Sequence, residues 1–396
     1  MAETIGDLEL VISGRFDELE KALHQTQTQV GTTFASIADN VGRVMLGVGA
    51  AITGAFGLAV KSAVEFENNL SKLKTLGQDM TGVEDIIKKI ATTWGQDLNT
   101  VAQTFYGLGS SGFDMATQGM EIMTAAAKGA TGGIAGIDEA AKLLTGTMNA
   151  WGLEASDSEK VMGILVTAVK NGETTIGEIS AAMGKLAPVA SSMGVSIEEI
   201  AAGLVGVTLA SNNTSEGMTK MLAAMNAMIA PSKEAQEIYA AIGIQIDAQT
   251  LSEKGFIETL NYVVGAIKEK NNALYAHKDA LAQQIESMES AGKLNAAQKE
   301  QLGELKEEYE SLGGIQRDWR TTLTQALGST EALNAAMAIT QDATGKVKIT
   351  LEDTANAQKN LNDMSDAFVE KNPAIAFARL KAELSILSVE IGRTLL

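Results

Sequence analysis

The sequence predicts an all-α fold: a multi-helix bundle of short Gly-capped helices with a coiled-coil hairpin insert. Three observations point there. Helical stretches close repeatedly on a glycine and an apolar residue, and a Ser, Thr, Asn or Asp then opens the next helix. Examples are Met193-Gly194-Val195-Ser196-Ile197-Glu198-Glu199, and Trp151-Gly152-Leu153 before Ser156-Asp157-Ser158-Glu159. Looser versions are Trp94-Gly95-Gln96-Asp97-Leu98 and Ser111-Gly112-Phe113-Asp114-Met115. Apolar residues between these marks recur at helical spacing, as at Leu143, Leu144 and Met148 or Ile164, Leu165 and Ala168. Only 3 prolines occur, and no Pro/Gly/Ser-rich linker breaks the chain.

The marks have a mechanism. Glycine adopts the left-handed conformation that ends a helix. In a capping box, a Ser or Thr hydroxyl accepts the amide three residues on, while a Glu there reaches back to the cap amide. Ser196 with Glu199, Thr175 with Glu178, Thr81 with Glu84 and Ser156 with Glu159 fit that pattern.

In chain order, Leu8, Leu10 and Ile12 alternate with Glu9 and Val11, a weak strand signal ended by Ser13-Gly14. Phe16, Leu19 and Leu23 then mark a polar helix to about Val30. Val44 to Val60 carries no charge, and capped helices follow to about Ala230. Ile267, Leu274, Leu281 and Met288 fall seven apart, Gly292 turns the chain, and Leu302, Leu305, Tyr309 and Leu312 line a return. Two such arms read as a short antiparallel coiled coil. At the C-terminus Leu380, Leu384, Leu387, Ile391 and Leu395 form an apolar stripe running to the end, which reads as a truncated helix.

Composition narrows the classes. A length of 396 residues allows two or three domains. Aromatics are only 4% against 39 glycines, which predicts a core of small and aliphatic residues. The net charge of -18, with no cationic stripe, argues against nucleic-acid binding. No cysteine is present, so disulfides, thiolate nucleophiles and Cys-based metal sites are excluded. The start, Met-Ala-Glu-Thr, lacks the basic and apolar regions of a secretory signal, which predicts cytoplasmic synthesis.

The order of the phrases resembles the core region of phage tail tape measure proteins. The run begins at Ala63-Val64-Glu65-Phe66-Glu67-Asn68 and passes Gly77 and Ala150-Trp151-Gly152-Leu153 to Lys185-Leu186-Ala187-Pro188-Val189-Ala190 and Met193 to Glu199. Met228-Ile229-Ala230-Pro231 and Ala241-Ile242-Gly243-Ile244 follow. Weaker echoes lie at Ala326 to Leu333, Ser365 to Phe368 and Val389 to Gly392. The charged stretch from Lys268 to Leu312 departs from the pattern and reads as an insert. The resulting division is an N-terminal helical and apolar segment 1–62, a core helical domain 63–266, a hairpin insert 267–314 and C-terminal core helices 315–396.

The resemblance implies a non-enzymatic ruler that sets tail length and is expelled at DNA ejection. It implies tail tube and tip proteins, tail assembly chaperones and a few copies of itself as partners. Its places would be the virion tail lumen, the host cytoplasm during assembly, and the host envelope at ejection.

Candidate sites are weighed against plainer readings. Gly107-Leu108-Gly109-Ser110-Ser111-Gly112 has the dinucleotide-loop spacing, but it follows a helix capped by Asn99 or Thr100 and not a strand. Glu310-Ser311 has the pairing of lytic transglycosylases, yet Glu310 stands among Glu304, Glu307 and Glu308 on a solvated helix face. His24 and His277 read as surface residues, and no metal, cofactor or catalytic set is expected. Met218, Met221, Met225 and Met228 at helical spacing read as core. The uncharged segment, with Val44, Leu46, Ile52, Phe56, Leu58 and Val60 as its apolar residues, reads as a buried or self-associating helix. Its alternatives are a membrane insert and a contact with another tail protein. The alternative functions are accordingly a membrane-active delivery protein or a stand-alone helical adaptor or toxin.

Overall fold

A computed structural model describes residues 48–133, 135–211, 213–312 and 318–395. Among them stand eighteen α-helices and one 3-10 turn, with no strand. The expected strand at Leu8–Ile12 and the helix from Phe16 lie outside the described residues.

The described residues fall into two compact units. One runs from Glu65 to Ile386; the other joins the start of helix α1 (Val48–Lys74), up to Val64, with the chain from Leu387 onward. In that second unit Ala59 and Ala63 are buried under Gly392 of α18 (Pro373–Leu395). A Cβ on Gly392 would lie 2.4 Å from the Ala59 carbonyl oxygen.

The larger unit starts with α2 (Val83–Trp94), α3 (Leu98–Ser110), α4 (Gly119–Gly133) and α5 (Ile137–Trp151). Glycine 95 and Gly152 end α2 and α5 with φ of 63° and 65°, the left-handed stops the sequence announced. A 3-10 turn (Ala155–Asp157) leads to α6 (Ser158–Asn171), α7 (Ile176–Ser192), α8 (Ile197–Ser211) and α9 (Thr214–Ile229). Then follow α10 (Lys233–Ala241), α11 (Ala248–Lys254) and α12 (Phe256–Ser290). The rest comprises α13 (Ala296–Ser311), α14 (Trp319–Leu327), α15 (Thr330–Gln341), α16 (Lys346–Thr354), α17 (Ala357–Lys371) and α18.

Two helices form the centre. On α8 every residue from Ile200 to Thr208 is buried, and on α6 every residue from Val161 to Ala168. A helix apolar all round can be stable only when neighbours surround it. Helix α8 packs on α6, α9, α12, α15 and α16, and α6 packs on α4, α5, α8, α16 and α17. Glycines set the spacing: a Cβ on Gly163 of α6 would lie 2.3 Å from the Ala357 carbonyl oxygen of α17. On α8, a Cβ on Gly206 would meet Ala338 O at 3.3 Å and Val347 Cγ2 at 3.0 Å. The four methionines at 218, 221, 225 and 228 are all buried, and Met221 reaches over Gly203. That stripe is core, as its spacing suggests.

Several local expectations are corrected. Helix α12 spans 35 residues and carries the first arm of the hairpin. Its first turns are core, with Phe256, Leu260, Val263 and Ile267 buried, so the hairpin's first arm grows out of a core helix. Helix α13 folds back on it, with Lys278 5.1 Å from the Tyr309 ring centroid and His277 Nε2 2.9 Å from Glu308 Oε1. The seam is shallow: α13 buries no residue, and of the heptad positions beyond Ile267 only Leu281 is buried. The structure shows a helical hairpin with a shallow seam.

The cap of α3 is Asp97, whose carboxylate accepts Thr100 N at 2.9 Å, and not Asn99 or Thr100. Thr175 and Glu178 form the expected reciprocal box. Thr81 does not cap: its amide and hydroxyl both donate to Asp79, and left-handed Gly82 precedes α2. The box expected at Ser156 is formed instead by Glu154 and Asp157. Ser196 accepts Glu199 N at 3.2 Å and its hydroxyl donates to Glu199 Oε2 at 3.4 Å, but Glu199 Oε1 accepts Ile257 N, 3.1 Å, at the start of α12 and not the cap amide. Nor is the C-terminal leucine stripe the buried one. Leu384 is exposed, while Ala382, Val389 and Gly392 are buried, because close approach selects small residues over long ones.

This packing predicts opposite outcomes for two glycine-to-alanine changes. Gly163→Ala should destabilise by about 1–3 kcal/mol, since backbone must move to admit the methyl. Gly184→Ala, in α7 with nothing within 4 Å of the added Cβ, should stabilise by about 0.5–1 kcal/mol through helix propensity. Chemical denaturation of the two variants checks this; equal effects would mean that Gly163 is not a contact point.

Candidate functional site

Val44 and Leu46 lie outside the described residues, while Ile52, Phe56, Leu58 and Val60 are on α1. Val60 is half-buried, beside the buried Ala59. No described helix is long and apolar enough to cross a membrane. Gly107 to Ser110 are the last turn of α3, so the dinucleotide spacing has no strand behind it. Glu310 is exposed on α13, as is His277 on α12; His24 lies outside the described residues. Among the described residues no three His, Cys, Asp or Glu side chains gather as metal ligands.

Shifted titration is a second guide to functional sites, because catalysis needs it. Here each shift has an architectural cause. Asp79, Asp114 and Asp247 are held below the ordinary carboxylate range, chiefly by hydrogen bonds from Thr81, Thr117 and Thr250. Burial pushes Tyr239 up to about 12, and its hydroxyl donates to Ala326 O, 3.0 Å, an orphan carbonyl at the end of α14. Burial also pushes the Glu159 carboxyl up, but hydrogen bonds from Lys128 and Gln358 outweigh it and the net shift is downward. That cluster joins α4 through Lys128, α6 through Glu159, and α17 through Gln358 and Asn362.

What remains is surface. A groove of about 670 Å³ runs between α3, α5 and α7, floored by Gly107, Gly146 and Gly184. Its buried hydroxyls, Thr104, Thr145 and Thr147, donate to carbonyls of their own helices, so none is aimed at a ligand. A second groove of about 500 Å³ lies between α10, α12 and α14, lined by Ile238, Ile242, Leu274 and Thr321 among others. Large apolar side chains also face outward, notably Phe377 at 71% exposure. Charged side chains line both grooves as well, Asp138 and Lys142 in the first and Lys270 and Asp318 in the second. Sequence reasoning pointed to none of these features, since a groove floor is made by three helices distant in sequence.

One long-range arrangement is readable in hindsight. The phrases around Trp151 and Val195 meet in space: Trp151 Nε1 donates to Val195 O at 2.9 Å, and Ser191 Oγ to Ala150 O at 2.5 Å. The glycine turns after α5 and α7 are thereby locked together.

Comparison with known proteins gives a consistent neighbourhood. A family model described as phage-related minor tail protein matches residues 84–285. A probable tape measure protein of Clostridium phage phiCD119 (strain Clostridium difficile/United States/Govind/2006) is 28% identical over 167 residues, 40% of this chain and 17% of that protein. The tape measure protein of Pneumococcus phage Dp-1 is 26% identical over 243 residues, 56% of this chain and 20% of that protein. The chain thus spans a fifth or less of the length of these curated relatives. No solved structure matches.

The Glu159 cluster yields a pH prediction. A glutamate whose folded pKa is depressed contributes stability above the ordinary glutamate range and loses it as pH falls through the folded value. Glu159→Gln should therefore cost about 1 kcal/mol at neutral pH, and the gap to the wild type should close below about pH 4. Denaturant unfolding between neutral and acid pH measures it; a gap that does not change with pH would rule out the carboxylate's charge as the cause.

Proposed function

The chain belongs to the phage-related minor tail protein family, and from that membership we propose that it is part of a tape measure. In this reading it is a non-enzymatic structural component of a phage tail. It sets tail length during assembly and is expelled from the tail lumen at DNA ejection. The observation that carries the reading is the similarity to two tape measure proteins, one of them over 56% of this chain.

The physical chemistry is consistent with such a role. The protein's polar groups serve caps and cross-links between helices, as at Asp97, Thr175 and Lys128. An acidic chain of net charge -18 would not adhere to DNA moving through the same lumen. Partners in this reading are tail tube and tip proteins, tail assembly chaperones and a few further copies of the chain. The packed body from Glu65 to Ile386 would act as a domain, and length would be set by sequence that lies extended.

The test is tail length in the phage that encodes this chain. In-frame deletions in its gene outside residues 65–386 should shorten tails by about 1.5 Å per residue removed, the rise of an extended helix. Electron micrographs of the mutant tails give the slope. Tails of unchanged length would overturn the ruler.

A further inference from the structure

Helices α16 and α17 differ from the helices they cover. Their inward side chains are Val347, Thr350, Thr354, Ala357, Leu361 and Ser365, so only two large apolar residues are buried. Ile349 and Phe368, which could have anchored them, are 41% and 40% exposed. The seam beneath meets the glycine contacts at Gly163 and Gly206, and the side-chain links across it are polar. Asn171 Nδ2 donates to Thr350 Oγ1 at 3.1 Å and Asp353 Oδ2 at 3.4 Å, and Lys170 pairs with Asp353 at 3.6 Å. Gln358 donates to Glu159 at 3.0 Å and Lys128 to Asn362 Oδ1 at 2.7 Å.

Both ends are breaks in the helical backbone. Asp342 is the one non-glycine residue with positive φ, 34°, among the described residues, a conformation that costs an L-residue energy. Its carboxylate accepts Val347 N at 3.0 Å and Lys348 N at 3.1 Å, and Gly345 follows with φ 69°. At the far end Asn372 is extended and Pro373 starts the next helix. Apolar burial is the main force holding helices down, whereas hydrogen bonds are exchanged for bonds to water at small net gain.

We propose that residues 346–371 form a strap that opens as one unit, swinging on Asp342–Gly345 and Asn372–Pro373, while α6 and α8 stay folded on their remaining neighbours α4, α5, α9, α12 and α15. Opening uncovers the faces of α4 and α6 that hold Lys128, Glu159 and Gly163. For a chain that leaves a packed state to lie inside a tube, this is where unpacking starts. That consequence rests on the tape-measure reading; the opening itself does not.

Hydrogen exchange of the purified full chain, read by mass spectrometry at neutral pH, decides it. Amides of α16 and α17 should exchange together, at least about tenfold faster than those of α6 and α8. The double variant Gln358→Ala, Asn362→Ala removes two strap-side links. It should speed the strap about tenfold further and leave α6 and α8 unchanged. Strap amides that exchange at the rate of α6 and α8 overturn the proposal. So does a variant that retains wild-type helix content by circular dichroism yet accelerates all helices alike. Neither result bears on tail length, so the two readings fail separately.

Discussion

The body from Glu65 to Ile386 depends on helix backbones coming closer together than large side chains permit. With aromatics at 4%, bulky rings cannot fill the space between helices, so the helices themselves must close it. Gly163 lets α17 onto α6, Gly206 lets α15 and α16 onto α8, and Gly217 brings α9 onto Val207. Only such contacts can surround α8 on every side. Dispersion falls steeply with distance, so a gap of even half an ångström forfeits much of the attraction. The centre is therefore least tolerant where its residues are smallest.

Crowding of this kind constrains the polar groups. Helix ends near the core cannot rely on bulk water, so their orphan amides and carbonyls need partners from the chain itself. Asp97, Thr175, Ser232 and Ser329 serve amides one turn ahead. Tyr239 serves a carbonyl 87 residues away, and Glu199 an amide 58 residues away. Every buried side-chain polar atom among the described residues has a hydrogen-bond partner. The groups with shifted titration belong to this same inventory, which is why they map to caps and cross-links.

The reach of each interaction explains what the sequence made legible. A left-handed Gly95 or Gly152, or a Thr175–Glu178 box, is decided within five residues, and these were readable. The helical class and the methionine core follow from spacing alone. Ser196–Glu199 looked like a closed box, but one carboxylate oxygen serves the amide of Ile257 while the other stays on the Ser196 hydroxyl. Glu159 was likewise drawn from local capping by Lys128 and Gln358. At the C-terminus, periodicity favoured Leu380, Leu384 and Leu387, yet Ala382, Val389 and Gly392 are the buried positions. A hydrophobicity pattern ranks side chains by size, and close approach reverses that ranking. The apolar candidates on α1 were legible as a helix; what they contact was not, because spacing does not name a partner.

In the tape-measure reading, packing and measuring length would make opposite demands on one chain. As one continuous helix, residues 65–386 would reach roughly 480 Å at about 1.5 Å per residue. Packed together they contribute no such length, because the chain reverses at glycines such as Gly95, Gly152, Gly194 and Gly328, all with positive φ. A continuous helix would have to return each of these to the right-handed region. That is inexpensive for glycine and costly for any residue with a Cβ. The same residue type therefore allows the close contacts of the packed state and lowers the barrier to leaving it. Local caps act the other way, since a box like Thr175–Glu178 keeps its helix end satisfied without tertiary neighbours. Helices with such caps depend least on the packing, whereas α6 and α8, apolar all round, depend on it most, so the two kinds of helix answer differently to its loss.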